Sequence, residues 1–295
     1  MSGYFNKHKI INDPVYGFIT IPFELVFDII EHPWFQRLRR IRQLGLTDLV
    51  YPGALHTRFH HTLGAMHLTG QAIDELRNKD CIITDREAEG VTLAVLLHDI
   101  GHGPFSHALE NSLVSGVGHE DLSVLFMERL NLEFDGRLST AISIFKNEYP
   151  KRFLHQLVSS QLDMDRLDYL RRDSFFTGVS EGVVGSDRII KMLHVVNDEL
   201  AIAHKGIYSI EKFIEARRIM YWQVYLHKAV LSAEYLLLQI LRRAKEVVKD
   251  GLDLFSTPSL LRFLSSDVTL QDFRKDPDVL MDFSRLDDFD VLTCI

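Results

Sequence analysis

The sequence predicts a mostly helical protein with one small β-hairpin, and three observations carry that prediction. Apolar residues recur at helical spacing through most of the chain after Pro22, as Phe35, Leu38 and Ile41 do on one face. Helix-start signals stand where those runs begin: Pro22, Pro33, and the capping box Thr84-Asp85-Arg86-Glu87, with Thr84 at N-cap and Glu87 at N3. Residues 199–210, ELAIAHKGIYSI, alternate instead and turn at Lys205-Gly206, so the hairpin is expected there.

In chain order, residues 9–21 read as a loop followed by a short strand or strand-like turn broken at Gly17. The two prolines give helices over about 23–31 and 33–43, and a loop through Pro52-Gly53 leads to a helix over about 58–78 with Leu63, Met66, Gly70, Ile73 and Leu76 inward. The Thr84 box launches a helix ending at His98. Further helices are expected near 104–113, 119–130, 137–147, 151–161 and 163–176, with Gly178 as a stop, and then from Ser186 to about Asn197. A long helical stretch, bent or straight, follows over about 210–248, and short helices come after Asp250-Gly251. Residues 1–250 therefore read as one domain, and 251–295 as a helical extension or a further part of it.

Composition narrows the function classes. A net charge of -8 and a pI of about 5.9 argue against sequence-blind nucleic-acid binding over a broad surface. Cys81 and Cys294 are too few for a disulfide framework and fit a reducing compartment. The start MSGYFNKHKIINDP lacks an apolar signal-peptide core, and no run approaches the length of a membrane span, so a cytoplasmic location is expected.

The most informative stretch is VTLAVLLHDIGHGPFSH, Val91 to His107. An uncharged helix, buried on most sides, ends in His98-Asp99. An ionisable pair there is costly to bury without compensation, and a metal ion supplies it, since neutral imidazole and carboxylate are both good ligands. A helix end in which His98 caps carbonyls and Asp99 starts a turn would use the same residues. The chain holds 14 histidines, and His56, His60, His61, His98 and His102 crowd into two short segments, which suggests a site. His61, at the start of a different helix, is the first partner for His98-Asp99. Asp165 in LDMDRLDYLRRD, with Asp168 three residues on along one face, is the best fourth ligand, though acids among arginines also describe a salt-bridged surface. The cluster Arg37, Arg39, Arg40 and Arg42 is likewise either a solvated face or a phosphate contact.

RFHHTLG at 58–64, HDIGHGPFSH at 98–107, HE at 119–120 and DMDRLDYLRRD at 163–173 resemble the HD-domain phosphohydrolases. With NDPVYGFI, PWFQRLRRIRQLG and YPGALHTRF upstream, the chain is most similar to the deoxynucleoside triphosphate triphosphohydrolases of the SAM-and-HD-domain type, over roughly residues 9–235 and in their catalytic domain only. The resemblance implies an all-α HD-domain fold and one divalent transition metal, manganese, iron or zinc, held by His61, His98, Asp99 and Asp165, with additional magnesium also compatible. It implies that His107 is the acid for the leaving group, oriented by Glu110, and that His102 and His119, beside Glu120, bind phosphate oxygens or relay charge. Arg58, Arg166, Tyr169 and Arg217 would bind the triphosphate, Gln43 and Asp173 the sugar 3′-hydroxyl, and Tyr225 the sugar or base.

By the same resemblance, a GTP or dNTP effector would bind between subunits of a homo-oligomer, a dimer or tetramer, through Lys9, Glu31, Arg39, Val50 and Tyr51. Four positions depart from the family pattern: Glu110 and Glu31 stand where aspartate is expected, and Trp222 and Gln223 where basic residues are. The reaction implied is hydrolysis of a dNTP to deoxynucleoside and inorganic triphosphate. Two other readings use the same motifs: an HD phosphohydrolase acting on a monophosphate, a cyclic nucleotide or a nucleic-acid end, and a nucleotide-binding regulatory protein with little turnover.

Overall fold

The N-terminal strands form because Asp13 organises a turn between them. Its Oδ1 accepts the N–H groups of Val15 and Tyr16 at 2.9 and 3.0 Å, and Gly17 supplies the left-handed residue at φ 76°. The computed structural model describes residues 9–105, 114 and 116–295. In it β1 (Ile10–Asp13) and β2 (Gly17–Thr20) pair antiparallel with Ile11 opposite Ile19. The sequence predicts a loop followed by a short strand or strand-like turn here, and the Asx turn at Asp13 makes the segment a hairpin of two strands.

Helix α1 (Glu24–Glu31) is followed by the short α2 (Pro33–Gln36), whose N-terminus is capped by the His32 ring accepting from the Trp34 N–H at 3.2 Å. The helix expected to run to residue 43 instead tightens into a 3-10 turn at Arg37–Arg40 and opens at Ile41. The reason is tertiary. Arg37 is drawn inside, where it donates to the carbonyls of Leu286 and Ile100, and Arg42 leaves the helix to bridge Thr57. Ile41 and Gln43 then pair with Arg58 and His56 through backbone bonds of 3.0 Å, which sets the root of the next helix.

The central pair is α3 (Arg58–Arg77) and α4 (Asp85–Leu97). The capping box behind α4 is present: Glu87 N–H donates to Thr84 Oγ1 at 3.2 Å and Thr84 N–H to Glu87 Oε2 at 2.8 Å. Every residue from Val91 to Leu97 is buried, because α4 lies between α3 and two later helices. Those belong to the set α5 (His119–Glu133), α6 (Ser139–Phe145), α7 (Arg152–Val158) and α8 (Met164–Thr177); α6 and α7 pack on α4, and α8 packs on α3. The helix expected over 104–113 falls mostly outside the described residues. Gly178 ends α8 in the left-handed conformation, φ 75°, as its position suggested.

At Gly64 the side chains of α8 lie directly against α3, since a Cβ there would collide with the Asp168 carboxylate and the Arg172 guanidinium. Helix propensity alone predicts that Gly64→Ala stabilises by about 1 kcal/mol. We expect the opposite sign, a loss of about 3 kcal/mol in chemical denaturation, because the alanine would force apart a buried ion pair. An unchanged or raised midpoint would show that the two helices can separate at no cost.

After α9 (Ser186–Lys191) comes the second hairpin, β3 (Leu193–Val196) with β4 (Glu199–Ile202). It lies upstream of the expected 199–210. The turn is Asn197-Asp198, both left-handed at φ 52° and 63°, which suits the twist of two-residue hairpins better than Lys205-Gly206. Those two residues form a 3-10 turn instead, and the helix expected to reach Asn197 stops at Lys191.

The long C-terminal stretch is two helices, α10 (Ile207–Met220) and α11 (Lys228–Lys249), joined by a π turn at Tyr221–Tyr225 and bent by 57°. No single helix among the described residues is long and apolar enough to cross a membrane. Four short helices follow, α12 (Pro258–Ser265), α13 (Leu270–Lys275), α14 (Pro277–Phe283) and α15 (Asp288–Cys294). Phe263, Phe273 and Phe283 pack ring to ring among them, and Phe283 reaches Phe126 of α5 at 6.3 Å.

Candidate active site

Three helix ends meet at the site. Thr57 precedes α3 and is tied to its first turn by the His60 ring, which accepts the Thr57 N–H at 3.2 Å. Arg58 and His61 thus leave the first turn of α3, both buried. His98 and Asp99 follow the last turn of α4. Asp165 stands in the first turn of α8, whose N-terminus is capped by Asp163 accepting from the N–H groups of Arg166 and Ser160, each at 2.7 Å.

These elements converge four donor groups. The His61 and His98 Nε2 atoms are 3.4 Å apart. Asp165 Oδ1 lies 3.0 Å from the first and 3.5 Å from the second. Asp99 completes the group, with Oδ1 3.3 Å from His98 Nε2 and Oδ2 3.7 Å from His61 Nε2. Ligand atoms about 2.1 Å from one ion sit roughly 3.0–3.4 Å apart at octahedral or tetrahedral angles. The remaining ring nitrogens are already engaged: His61 Nδ1 with Asp168 Oδ2 at 2.8 Å, and His98 Nδ1 with the Val95 carbonyl at 2.5 Å. Each acceptor engages the Nδ1 side of its ring and turns Nε2 toward the cluster, the arrangement that orients metal-binding imidazoles. Behind His61, Asp168 is held by Arg172, which also grips Asp13 at 2.8 Å, so the site is anchored to the N-terminal hairpin.

The charges fit a cation. Burial alone would depress the His61 imidazolium, yet Asp165 and Asp168 override it and push its pKa up to about 10. Burial likewise works against the Asp165 carboxylate, and the hydrogen bonds and charge of His61 and His98 hold it well below its usual range. A pocket that retains a proton this tightly is one of strong negative potential, and two imidazoles with two carboxylates suit a divalent transition metal. The Arg58 guanidinium bonds Asp99 Oδ2 from the cavity side.

A second group of potential ligands shares Asp99. His102 Nε2 lies 3.2 Å from Asp99 Oδ1, and the His102 and His119 rings stack at 3.9 Å. Burial and the neighbouring Arg58 cation keep His102 neutral well below the usual histidine range. Ser123 of α5 fixes this corner, accepting from the Gly101 N–H at 3.0 Å and donating to the His98 carbonyl at 2.7 Å.

The cluster opens into a cavity of about 560 Å³. Of the substrate-binding candidates, Gln43, Arg58, Arg166, Tyr169, Asp173 and Tyr225 line it, as do His98, Asp99, His102, His119, Glu120 and Asp165. Arg217 does not line it but stands behind Tyr221, its guanidinium 5.8 Å from that ring. His107 and Glu110 lie outside the described residues. The effector candidates fall into two groups, with no hydrogen bond or ring contact joining them among the described residues. Lys9 packs over Phe27, Arg39 over Phe59, and Glu31 is exposed at the end of α1, whereas Tyr51, next to Val50, donates to the Gln223 carbonyl and packs on His227.

Sequence reasoning passed over His56. Its Nε2 meets Asp173 Oδ1 at 2.7 Å, its ring stacks on Phe176, and Tyr225 donates to Asp173 Oδ2 at 2.7 Å. Both oxygens of that carboxylate thus receive a donor, which fixes its orientation at the cavity wall. The only signal was its place in the histidine-rich segment ahead of Arg58.

Comparison with known proteins agrees with this geometry. Residues 58–173, from the start of α3 to Asp173, match the family described as HD domain. The chain is 36% identical to the uncharacterised protein YwfO of Bacillus subtilis, over 93% of this chain and 65% of that one. It is 34% identical to the deoxynucleoside triphosphate triphosphohydrolase SAMHD1 homolog of Dictyostelium discoideum, over 82% of this chain and 50% of that one. It thus spans between half and two thirds of these curated relatives. A crystal structure of a phosphohydrolase from Bacteroides thetaiotaomicron superposes with a TM-score of 0.95 at 60% identity, covering 97% of this chain and 71% of that one. The family match begins and ends on residues that line the cavity, and the likeness to the Bacteroides structure runs almost the length of the fold, so the chain belongs to the HD-domain phosphohydrolase superfamily.

Proposed function

We propose that this protein hydrolyses deoxynucleoside triphosphates to deoxynucleoside and inorganic triphosphate. The observation that carries the metal-dependent hydrolase reading is the convergence of His61, His98, Asp99 and Asp165, with both Nδ1 atoms already engaged by acceptors. A bound manganese, iron or zinc ion supplies Lewis acidity toward a phosphoryl oxygen and a nucleophile from water at neutral pH. The extension to a triphosphate is supported by Arg58 and Arg166, both lining the cavity, and by the triphosphohydrolase name of the Dictyostelium relative.

The chain's own residues then divide the work. Arg58 and Arg166 bind the phosphate oxygens as the charge on them grows. His102, kept neutral, accepts or donates a hydrogen bond beside the phosphate without adding charge, and His119 stacks against it. His107 donates the proton to the leaving 5′-oxygen, a role suited to imidazole near neutrality. Asp173 is an acceptor-only group aimed by His56 and Tyr225, and Gln43 Oε1 is buried with no partner among the described residues. Both suit a sugar hydroxyl, which has a proton to give. Magnesium at the phosphates, a GTP or dNTP effector and a homo-oligomeric assembly belong to the same reading.

Product analysis tests it. The metal-loaded protein, incubated with four dNTPs with and without GTP and resolved by anion exchange, should yield deoxynucleoside and intact triphosphate. An Asp165→Ala control should yield neither. Nucleoside mono- or diphosphates would move the attack to another phosphorus and the protein to a different HD activity. Nucleotide binding without turnover would make it a regulatory binder.

A further inference from the structure

The C-terminal segment, silent in the sequence, reaches the active site through its backbone. Asp288 is 1% exposed and makes two contacts that its helix does not need. Its Oδ1 accepts the Phe105 N–H at 2.7 Å, and its Oδ2 accepts the Arg42 N–H at 2.8 Å. Two residues earlier, the Leu286 carbonyl accepts from Arg37, whose other terminal nitrogen donates to the Ile100 carbonyl at 2.8 Å. Between them, Asp287 pairs with Arg40 while capping α15. Three consecutive residues therefore hold two separate stretches of backbone.

Both stretches lead into the site. Ile100 and Phe105 bracket the glycine-rich turn that follows Asp99 and carries His102. Ile41–Gln43 pairs with His56–Arg58, so it sets the root of Arg58 and the cavity wall at Gln43. Phe105 shows why an anchor is needed. It is buried, it lines the cavity, and its φ of 53° is a left-handed conformation that a non-glycine residue adopts only when its surroundings impose it. The hydrogen bond from its N–H to Asp288 is such an imposition. Packing of a terminal helix requires apolar contact alone, and a buried carboxylate taking one backbone donor from each side of the site does more.

We propose that Leu286–Asp288 is a clamp on the active site and that Asp288 is a positioning residue, holding the Asp99–Phe105 turn and the Ile41–Gln43 strand in register. Asp288 touches neither the metal ligands nor the cavity, so its effect passes through Phe105 and Arg42. Asp288→Ala frees both N–H groups. Asp288→Asn keeps one acceptor and turns an N–H₂ toward the other donor, so it retains part of the clamp.

Amide hydrogen exchange on the metal-loaded protein decides the matter, because opening of a local hydrogen bond is what it reads. Asp288→Ala should speed exchange in peptides covering 99–105 and 41–43 by about tenfold or more, with Asp288→Asn in between. Arg262→Ala is the control: it removes ion pairs to Asp276 and Asp282 within the C-terminal helices and leaves the two hydrogen bonds of Asp288 in place. It should leave both peptides as in the unchanged protein. Metal content should be the same in all four proteins, while kcat on the dNTP mixture falls about 10- to 100-fold in Asp288→Ala and hardly at all in Arg262→Ala. Unaltered exchange in Asp288→Ala, or equal acceleration by Arg262→Ala, overturns the clamp. The kinetic arm rests on the hydrolase reading and the exchange arm does not, so a protein inactive on every dNTP still tests the clamp.

Discussion

Asp165→Ala is expected to lower kcat/KM by at least about 10³-fold and to leave the protein without tightly held metal after dialysis. The size follows from what the carboxylate does. A single oxygen of Asp165, Oδ1, meets both Nε2 atoms, at 3.0 and 3.5 Å, and it comes from a different helix than either ring. Without it, two imidazoles and Asp99 remain, and Asp99 is shared with Arg58 and His102. Asp165 is 28% exposed on the cavity side and carries no helix-capping duty, so the fold should tolerate the loss. Elemental analysis beside the melting temperature is the measurement. Full metal content with undiminished turnover would remove Asp165 from the ligand set and with it the hydrolase reading of the cluster.

The second large effect is on stability. Arg172 is wholly buried and forks between Asp168 and Asp13, with the Tyr16 ring 5.5 Å from its guanidinium. Replacing it by methionine leaves two carboxylates buried together without a counter-charge, which typically costs about 3–5 kcal/mol. In a domain of this size that corresponds to a fall in Tm of roughly 10 °C. Arg172→Lys should recover only part of it, because an ammonium cannot bond both acids in the plane of a fork. Metal affinity should weaken as well, by about 10- to 100-fold, since Asp168 would no longer be held against His61 Nδ1. Differential scanning calorimetry with and without added manganese separates the two consequences. A stable Arg172→Met protein would mean that Asp13 and Asp168 can be neutral at little expense.

The parts of this molecule that were legible in its sequence are those whose partners lie close along the chain. The Thr84–Glu87 box, the end of α8 at Gly178 and the proline start of α2 rest on neighbouring residues, and they form where expected. The histidine–aspartate motifs stood out because their residue types are costly to bury without a shared purpose. What could not be read depends on distant partners. Arg37 ends its helix early to meet Leu286, 249 residues on, and Arg172 meets Asp13 across 159 residues. The second hairpin was misplaced for a different reason. Asn197-Asp198 carries two successive left-handed residues, a turn signal as good as Lys205-Gly206, and the alternation on either side of it is only four residues long.

The π turn at Tyr221–Tyr225 makes chain length itself a specification. A turn closed by i→i+5 bonds accommodates one residue more than an α-helical turn over the same rise, and each helical residue advances the side-chain direction by about 100°. Tyr221, Tyr225 and Leu226 all face the cavity across that turn, Tyr225 meets Asp173, and two residues later His227 caps α11. Removing a single residue anywhere in the turn would restore an ordinary helix and swing one of these groups off its partner. Trp222, 73% exposed, and Gln223 can therefore change in kind with little consequence, while a one-residue gap at the same place cannot be absorbed. In this stretch the number of residues is the constraint, and a comparison of related chains is better scored there by its gaps than by its letters.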